Sequence, residues 1–497
     1  MQMSKGFGSI AAVAGGLFLI LVLPLDLRAQ TYSVSIKVGV DSPATIEVAG
    51  KLVGNAATRD PLHLSFRTDV FAPVKLADRY SDVKGFDAAG QPVPLKKLID
   101  GEYLAESNIS GWAYKIDLTP SRSRGAAAHT SWIAGDRGLL MIEDILPLAA
   151  LGKEAVVSLA IENPDAWRSL PLRGIAFRQG SYLLTDPQNA VIALGKGWRD
   201  EASSAEVDIA IHGEWHFTDP EVSEMVREII SEYSRRFGNS PLGMPQIFIS
   251  KFPQNVSHGV WEAETRGRNV TIISSDMPFR TQSLQRLHEQ LRHELFHLWI
   301  PNGVNLTGNY DWFYEGFALY ESLKLAVSLN RIRFEDFLDT LSRAHTIDGA
   351  QSQRISLITA SNTRFAGSNT QVYSRGMLVA FLCDLALLDE TKGKRSVENV
   401  LEQLFEKHRK PAEAMDGNAA VLSLLRANPQ VVPVVDRYVT GTDKMEWTDN
   451  LARAGIEDSD SGPLTTLRVK EKLNGRQKAL LDKLGYNNWQ KLTVTSK

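Results

Sequence analysis

The sequence predicts an α+β protein of several domains, with an N-terminal antiparallel β-sandwich-like part over residues 30–216 and a mainly helical part over 217–390 that continues through 391–450. Three observations carry this. Apolar residues alternate with polar ones from Tyr32 onward, the period of half-buried strands. At Thr218 the period lengthens to that of a helix. At 497 residues and 43% apolar composition, the chain has room for two to four packed cores.

The elements follow in order. Lys5 precedes an apolar run from Ile10 to Leu23, and Leu27-Arg28-Ala29 offers a small residue for cleavage before Gln30, the layout of a secretory signal over 1–29. The expectation is an exported protein, periplasmic or secreted, with no stable membrane insertion after cleavage. An uncleaved anchor is the alternative, although the run falls short of the ~20 apolar residues that span a bilayer. Tyr32, Val34, Ile36, Val38 and Val40 then alternate, as do Ile46 and Val48, and Leu62, Leu64 and Phe66. Further strands are expected over 156–161 and 207–211, with a turn at Ala89-Gly90-Gln91-Pro92.

Thr218-Asp219-Pro220-Glu221 combines an N-cap residue, a proline suited to the first turn and an acidic residue, and so announces a helix. Val222, Met225, Val226, Ile229, Ile230, Tyr233 and Phe237 give it one apolar stripe, and strands interrupt the helices near Ile247–Ile249 and Val270–Ile272. After Trp447 the chain turns polar, so 451–497 is expected to be a short tail without a core, holding one helix from Arg476 to Leu484. A net charge of −3 provides no basic patch for nucleic acid. Cys383 is the single cysteine, which excludes an intrachain disulfide.

The chemistry concentrates at His293-Glu294-Leu295-Phe296-His297. Residues four apart share a helix face, so the two imidazoles can reach one metal ion, with Glu294 beside them as a base for water. No Gly or Pro occurs from Thr281 to Trp299, and Leu284, Leu287, Leu291, Leu295 and Leu298 recur at helical spacing, so this helix is expected to be buried. Catalytic zinc usually takes three protein ligands and leaves a fourth position open. Glu315 is the candidate for the third, on a second helix beginning near Asp311, where Trp312, Phe313, Phe317, Leu319 and Tyr320 surround one carboxylate. Burying that charge unpaired is costly, and a single zinc ion would pair it. The competing possibility is that the histidines are ordinary helix residues and Glu315 pairs with an Arg or Lys.

HELFHLW together with WFYEGFALY resembles the gluzincin metallopeptidases, and within them the glycyl aminopeptidase family. The likeness runs from about His258 to Gly441 and includes Tyr373-Ser374-Arg375-Gly376, the apolar segment around Phe381–Leu385 and Thr391–Ser396. It implies a thermolysin-like catalytic domain, peptide substrates and Tyr373 as hydrogen-bond donor to the oxyanion. It also implies that Glu262, in Gly259-Val260-Trp261-Glu262, holds the substrate's free amino group. Glu264 is an alternative for that task, because Val260 and Ala263 depart from the family's pattern. His297 to Glu315 spans 315 − 297 = 18 positions, fewer than in typical members, with turn formers over 301–309 to absorb the difference. The C-terminal PDZ domain of many members is expected to be absent or reduced, since about fifty residues are too few for one. A zinc aminopeptidase is the reading this favours; a zinc endopeptidase or a non-catalytic peptide-binding homologue are the alternatives.

Overall fold

A computed structural model describes residues 30–53, 63–68, 75–170, 176–204, 207–461 and 464–488. The expected signal segment over 1–29, the strand residue Leu62 and residues 489–497 lie outside the described residues.

Strand alternation builds the molecule in layers. Strands β1 (Gln30–Gly39) and β2 (Ala155–Glu162) lie at the centre of an eight-stranded sheet. In β1 the residues Tyr32, Val34, Ile36 and Val38 are buried while their neighbours face outward. The buried face packs on a four-stranded sheet that includes Arg137–Met141 and Val191–Gly195. That second sheet is covered on both sides. Leu140, Ile192 and Leu194 join the core shared with β1, while Leu139, Met141, Val191 and Ala193 turn the other way. The sandwich is not purely antiparallel as expected, because β1 runs parallel to β2 with Gln30 opposite Ala155. A parallel partner requires a long crossover, and the whole segment between the two strands supplies it.

A third sheet comprises β3 (Arg199–Ser204), β4 (Val207–Ile211), β5 (Gln246–Ser250), β6 (Trp261–Arg266) and β7 (Asn269–Ser274), in the order β3-β4-β5-β7-β6, which leaves β6 at an edge. The expected boundary at 216 assigns β3 and β4 to the N-terminal part. The structure moves them to the helical half, where β4 pairs with β5 and Ile209 lies opposite Ile247. Alternation marks a strand but does not say which sheet it joins. Ala210, Phe248 and Ile273 face the four-stranded sheet, whereas Ile209, Ile211, Ile247, Ile249 and Ile272 face the helices. Burial on both faces explains the unbroken apolar runs of this sheet.

Four helices complete the frame around the site: α1 (Asp219–Phe237), α2 (Arg280–Phe296), α3 (Asp311–Ser328) and α4 (Gly376–Glu390). α1 starts where the sequence places it, and the Thr218 N–H donates to Glu221 Oε2 at 2.8 Å in a capping box. The helical run Gln371–Glu390 is long and apolar enough to cross a membrane, but 89% of its apolar window is buried inside the molecule, which identifies a core helix. The expectation of a coreless tail after 450 is overturned. Ile456 and Leu467 in a hairpin, and Leu480, Leu481 and Leu484 in and beside α5 (Gly475–Lys483), are buried in the helical core. Most of the apolar residues described in this polar stretch land on one side, Leu464 being the exposed exception.

Candidate metal centre

Three ligand atoms converge where α2 meets α3. His293 lies in the last turn of α2, and His297 follows its final residue with helical backbone angles, φ −64° and ψ −14°. His293 Nε2 stands 3.1 Å from Glu315 Oε2, His297 Nε2 stands 3.5 Å from that oxygen, and the two Nε2 atoms are 3.3 Å apart. Tetrahedral zinc with bonds of ~2.0–2.1 Å spaces its ligands ~3.3 Å apart, so the set fits such an ion without rearrangement. These three residues are the metal-holding group found among the described residues, and all are buried.

Tautomer and charge also fit. His297 Nδ1 donates to the Ile300 carbonyl at 3.0 Å, because a carbonyl only accepts, and this leaves Nε2 with its lone pair toward the other ligands. His293 Nδ1 is buried without a hydrogen-bond partner among the described residues, so packing and the Nε2 contact with Glu315 orient that ring. Burial by itself would raise the Glu315 pKa. The Arg364 guanidinium and the two imidazoles outweigh it and hold the carboxyl well below its usual range, as an anion.

Around the triad stand two further expected residues and one that the sequence does not reveal. Glu294 is buried, and its Oε2 accepts from Thr265 Oγ1 at 2.8 Å. Thr265 lies on β6 and also reaches the Glu294 carbonyl at 3.0 Å, which ties the edge strand to α2. Tyr373 sits in a π-helical turn, Gln371–Arg375, with its ring centroid 6.3 Å from that of His293. Such turns are rare and recur at functional sites. Burial, then the Glu315 charge, push the phenol well above its usual pKa while Arg364 pulls it down, so it is protonated at neutral pH.

Two glycines bring Glu315 and Tyr373 together. A Cβ on Gly316 would lie 2.4 Å from the Gly376 carbonyl carbon, and one on Gly376 would lie 2.5 Å from the Trp312 carbonyl oxygen. α3 and α4 therefore touch backbone to backbone, one residue beyond Glu315 and three beyond Tyr373. Gly376→Ala should drive the helices apart, lower stability by about 1–3 kcal/mol and loosen metal binding. Thermal denaturation and metal retention on dialysis measure both, and an unchanged midpoint would show that the contact tolerates a methyl group.

The structure separates the two candidate glutamates of the edge strand. Glu262 and Glu264 share the face of β6 turned toward the N-terminal half, since Glu262 lies opposite Ile273, while Ala263 and Thr265 face α2. Glu264 is already engaged by His129 and by Arg266 Nη2 at 3.0 Å. Burial would raise its pKa, but Arg266 and His129 bring it down to about 2. Arg266 in turn binds Glu143 Oε2 at 2.5 Å and the His129 carbonyl at 2.9 Å, so this cluster clamps β6 to the N-terminal half. The Glu262 carboxylate forms no hydrogen bond or ion pair with the described residues, while the residue's backbone pairs with Ile273 in the sheet. Burial raises its pKa, and His129 and Arg124 partly offset that. Gly259 precedes the strand with φ +79°, a left-handed turn conformation that favours glycine. Thr265, Arg364 and the clamp carry no motif or spacing by which the sequence could reveal them.

No protein-family model and no curated protein matches the chain. Its fold is shared with solved structures. An aminopeptidase N family protein from Idiomarina loihiensis superposes with a TM-score of 0.71 at 13% identity, covering 86% of this chain and 79% of that one. An M1 zinc metallopeptidase from Deinococcus radiodurans gives 0.53 at 13% identity, covering 84% and 95%. A mutant of that enzyme described with a Tyr-Ser-Ala substrate gives 0.54 at 14% identity over 84% and 95%, and yeast LTA4 hydrolase in complex with bestatin gives 0.52 at 12% over 84% and 68%. The chain thus has the fold of M1 zinc metallopeptidases, a β-rich N-terminal half and a helical C-terminal half, in agreement with its resemblance to gluzincin aminopeptidases.

Proposed function

We propose that this protein is a zinc-dependent metallopeptidase that removes N-terminal residues from peptides. The observation that carries the reading is the convergence of His293 Nε2, His297 Nε2 and Glu315 Oε2 within one ion's reach, in a fold whose solved examples include an M1 zinc metallopeptidase and an aminopeptidase N family protein. Zinc held by these residues would supply Lewis acidity to a peptide carbonyl and lower the pKa of water toward about 7. Glu294, oriented by Thr265, takes the proton of the attacking water and passes it to the leaving amine. Tyr373 donates its hydroxyl hydrogen to the carbonyl oxygen as negative charge builds there.

Glu262 is the residue proposed to bind the substrate's α-ammonium, since Glu264 is committed to Arg266 and His129. Its partners in this role are peptides with free amino termini, in line with the Tyr-Ser-Ala substrate described for the Deinococcus enzyme. Glu262→Ala should raise KM for free-amino peptides and leave metal content unchanged. The decisive comparison is hydrolysis of free and N-acetylated peptides by the wild type, with metal analysis and chelator treatment. Equal cleavage of both would make the enzyme an endopeptidase, and protein without bound zinc or chelator-sensitive hydrolysis would refute the peptidase reading.

Export belongs to the same proposal. Cleavage before Gln30 keeps the described strand β1, Gln30–Gly39, in the mature chain. N-terminal sequencing of the protein recovered outside the cytoplasm tests it.

A further inference from the structure

We infer that Arg364 is a positioning residue of the metal centre, one that holds Glu315 as a one-oxygen ligand and fixes Tyr373 as a hydrogen-bond donor. The inference rests on the zinc peptidase reading above and assigns a residue that no motif marks.

A single guanidinium makes all the relevant contacts. Arg364 Nη2 lies 2.9 Å from Glu315 Oε1 and 2.5 Å from the Tyr373 hydroxyl oxygen. Nη1 lies 2.8 Å from Asp311 Oδ1, and Nε lies 3.3 Å from Asn369 Oδ1. The side chain is 12% exposed, so these bonds form largely away from water, where charge-assisted bonds are strong.

The two oxygens of Glu315 are divided between tasks. Oε1 accepts from Arg364, while Oε2 faces the two imidazoles. Occupying Oε1 keeps the carboxylate from offering both oxygens to one ion and preserves an open position for substrate. At Tyr373 the logic is directional. Arginine has donors and no acceptor, so the phenol oxygen accepts here and its own hydrogen points away from the guanidinium, toward the Glu315 carboxylate within its reach and, when substrate is bound, toward the substrate carbonyl. Asp311, four residues before Glu315 and thus on the same face of α3, gives the guanidinium a second hold on that turn. A lysine, with one point charge instead of a planar fork, cannot serve Glu315, Tyr373 and Asp311 together.

The test uses the full-length protein and its Arg364→Met and Arg364→Lys variants. Zinc affinity is measured by chelator competition, the ligand field by visible absorption of the cobalt(II)-substituted protein, kcat and KM on a free-amino peptide, and folding by thermal denaturation. Both variants should bind zinc roughly 10- to 100-fold more weakly. At saturating zinc both should lose on the order of 10²-fold in kcat with KM little changed, and show a shifted cobalt spectrum. Added guanidinium ion should restore part of the kcat of Arg364→Gly, which a purely structural role would not allow. Should Arg364→Met fail to fold, Arg364→Lys carries the test. A folded Arg364→Lys or Arg364→Met with wild-type zinc affinity, cobalt spectrum and kcat would overturn the inference while leaving the peptidase reading intact. A wild type that binds no zinc would instead remove that reading itself.

Discussion

Glu294→Gln should retain zinc at wild-type stoichiometry and lose turnover by on the order of 10²- to 10⁴-fold, the usual worth of a general base. Glutamine has the same shape, and its amide oxygen can still accept from Thr265 Oγ1, which now donates to Glu294 Oε2 at 2.8 Å. The buried setting is therefore preserved, and the ligand triad, to which Glu294 does not belong, is untouched. What disappears is the capacity to take a proton from water. Metal analysis and kcat/KM on the same sample separate the two effects, and a variant that keeps most of its activity would show that another group is the base.

Arg375→Met should destabilise the fold by about 3–5 kcal/mol, the cost of leaving one partner of a buried ion pair without the other. Arg375 is fully buried beside Asp348, with Nη1 at 3.3 Å from both carboxylate oxygens. Its other nitrogens satisfy backbone, Nε donating to the Tyr438 carbonyl at 3.1 Å and Nη2 to the Asp443 carbonyl at 2.7 Å. Methionine fills much of the volume but strands these acceptors. Arg375 closes the π-helical turn that holds Tyr373, so residual folded protein should also turn over more slowly. Urea denaturation gives the stability change, and a midpoint equal to that of the wild type would mean that Asp348 finds another partner, Arg354 being 3.9 Å away.

These two residues show how differently parts of the site announce themselves. His293, Glu294 and His297 are legible because helical spacing alone places them together, and the structure keeps them so. Glu315 is legible because a lone carboxylate within Trp312–Tyr320 demands a cation. Arg375 reads only as part of the Tyr-Ser-Arg-Gly segment, and nothing in that segment tells that its charge is buried against Asp348 rather than solvated. Arg364 stands in a polar stretch like any surface arginine, although it meets Glu315, Tyr373 and Asp311 at once.

The sequence by itself determined the strand and helix periods and the pairing of His293 with His297 on one turn of helix, because each depends on neighbours within a turn or two of chain. Only the tertiary structure decided that β4 belongs to the third sheet, that the residues after 450 complete the helical core, and that Glu264 is engaged while Glu262 is not. Those outcomes depend on which surfaces meet across long sequence separations, and residue type at one position carries no record of a partner a hundred positions away.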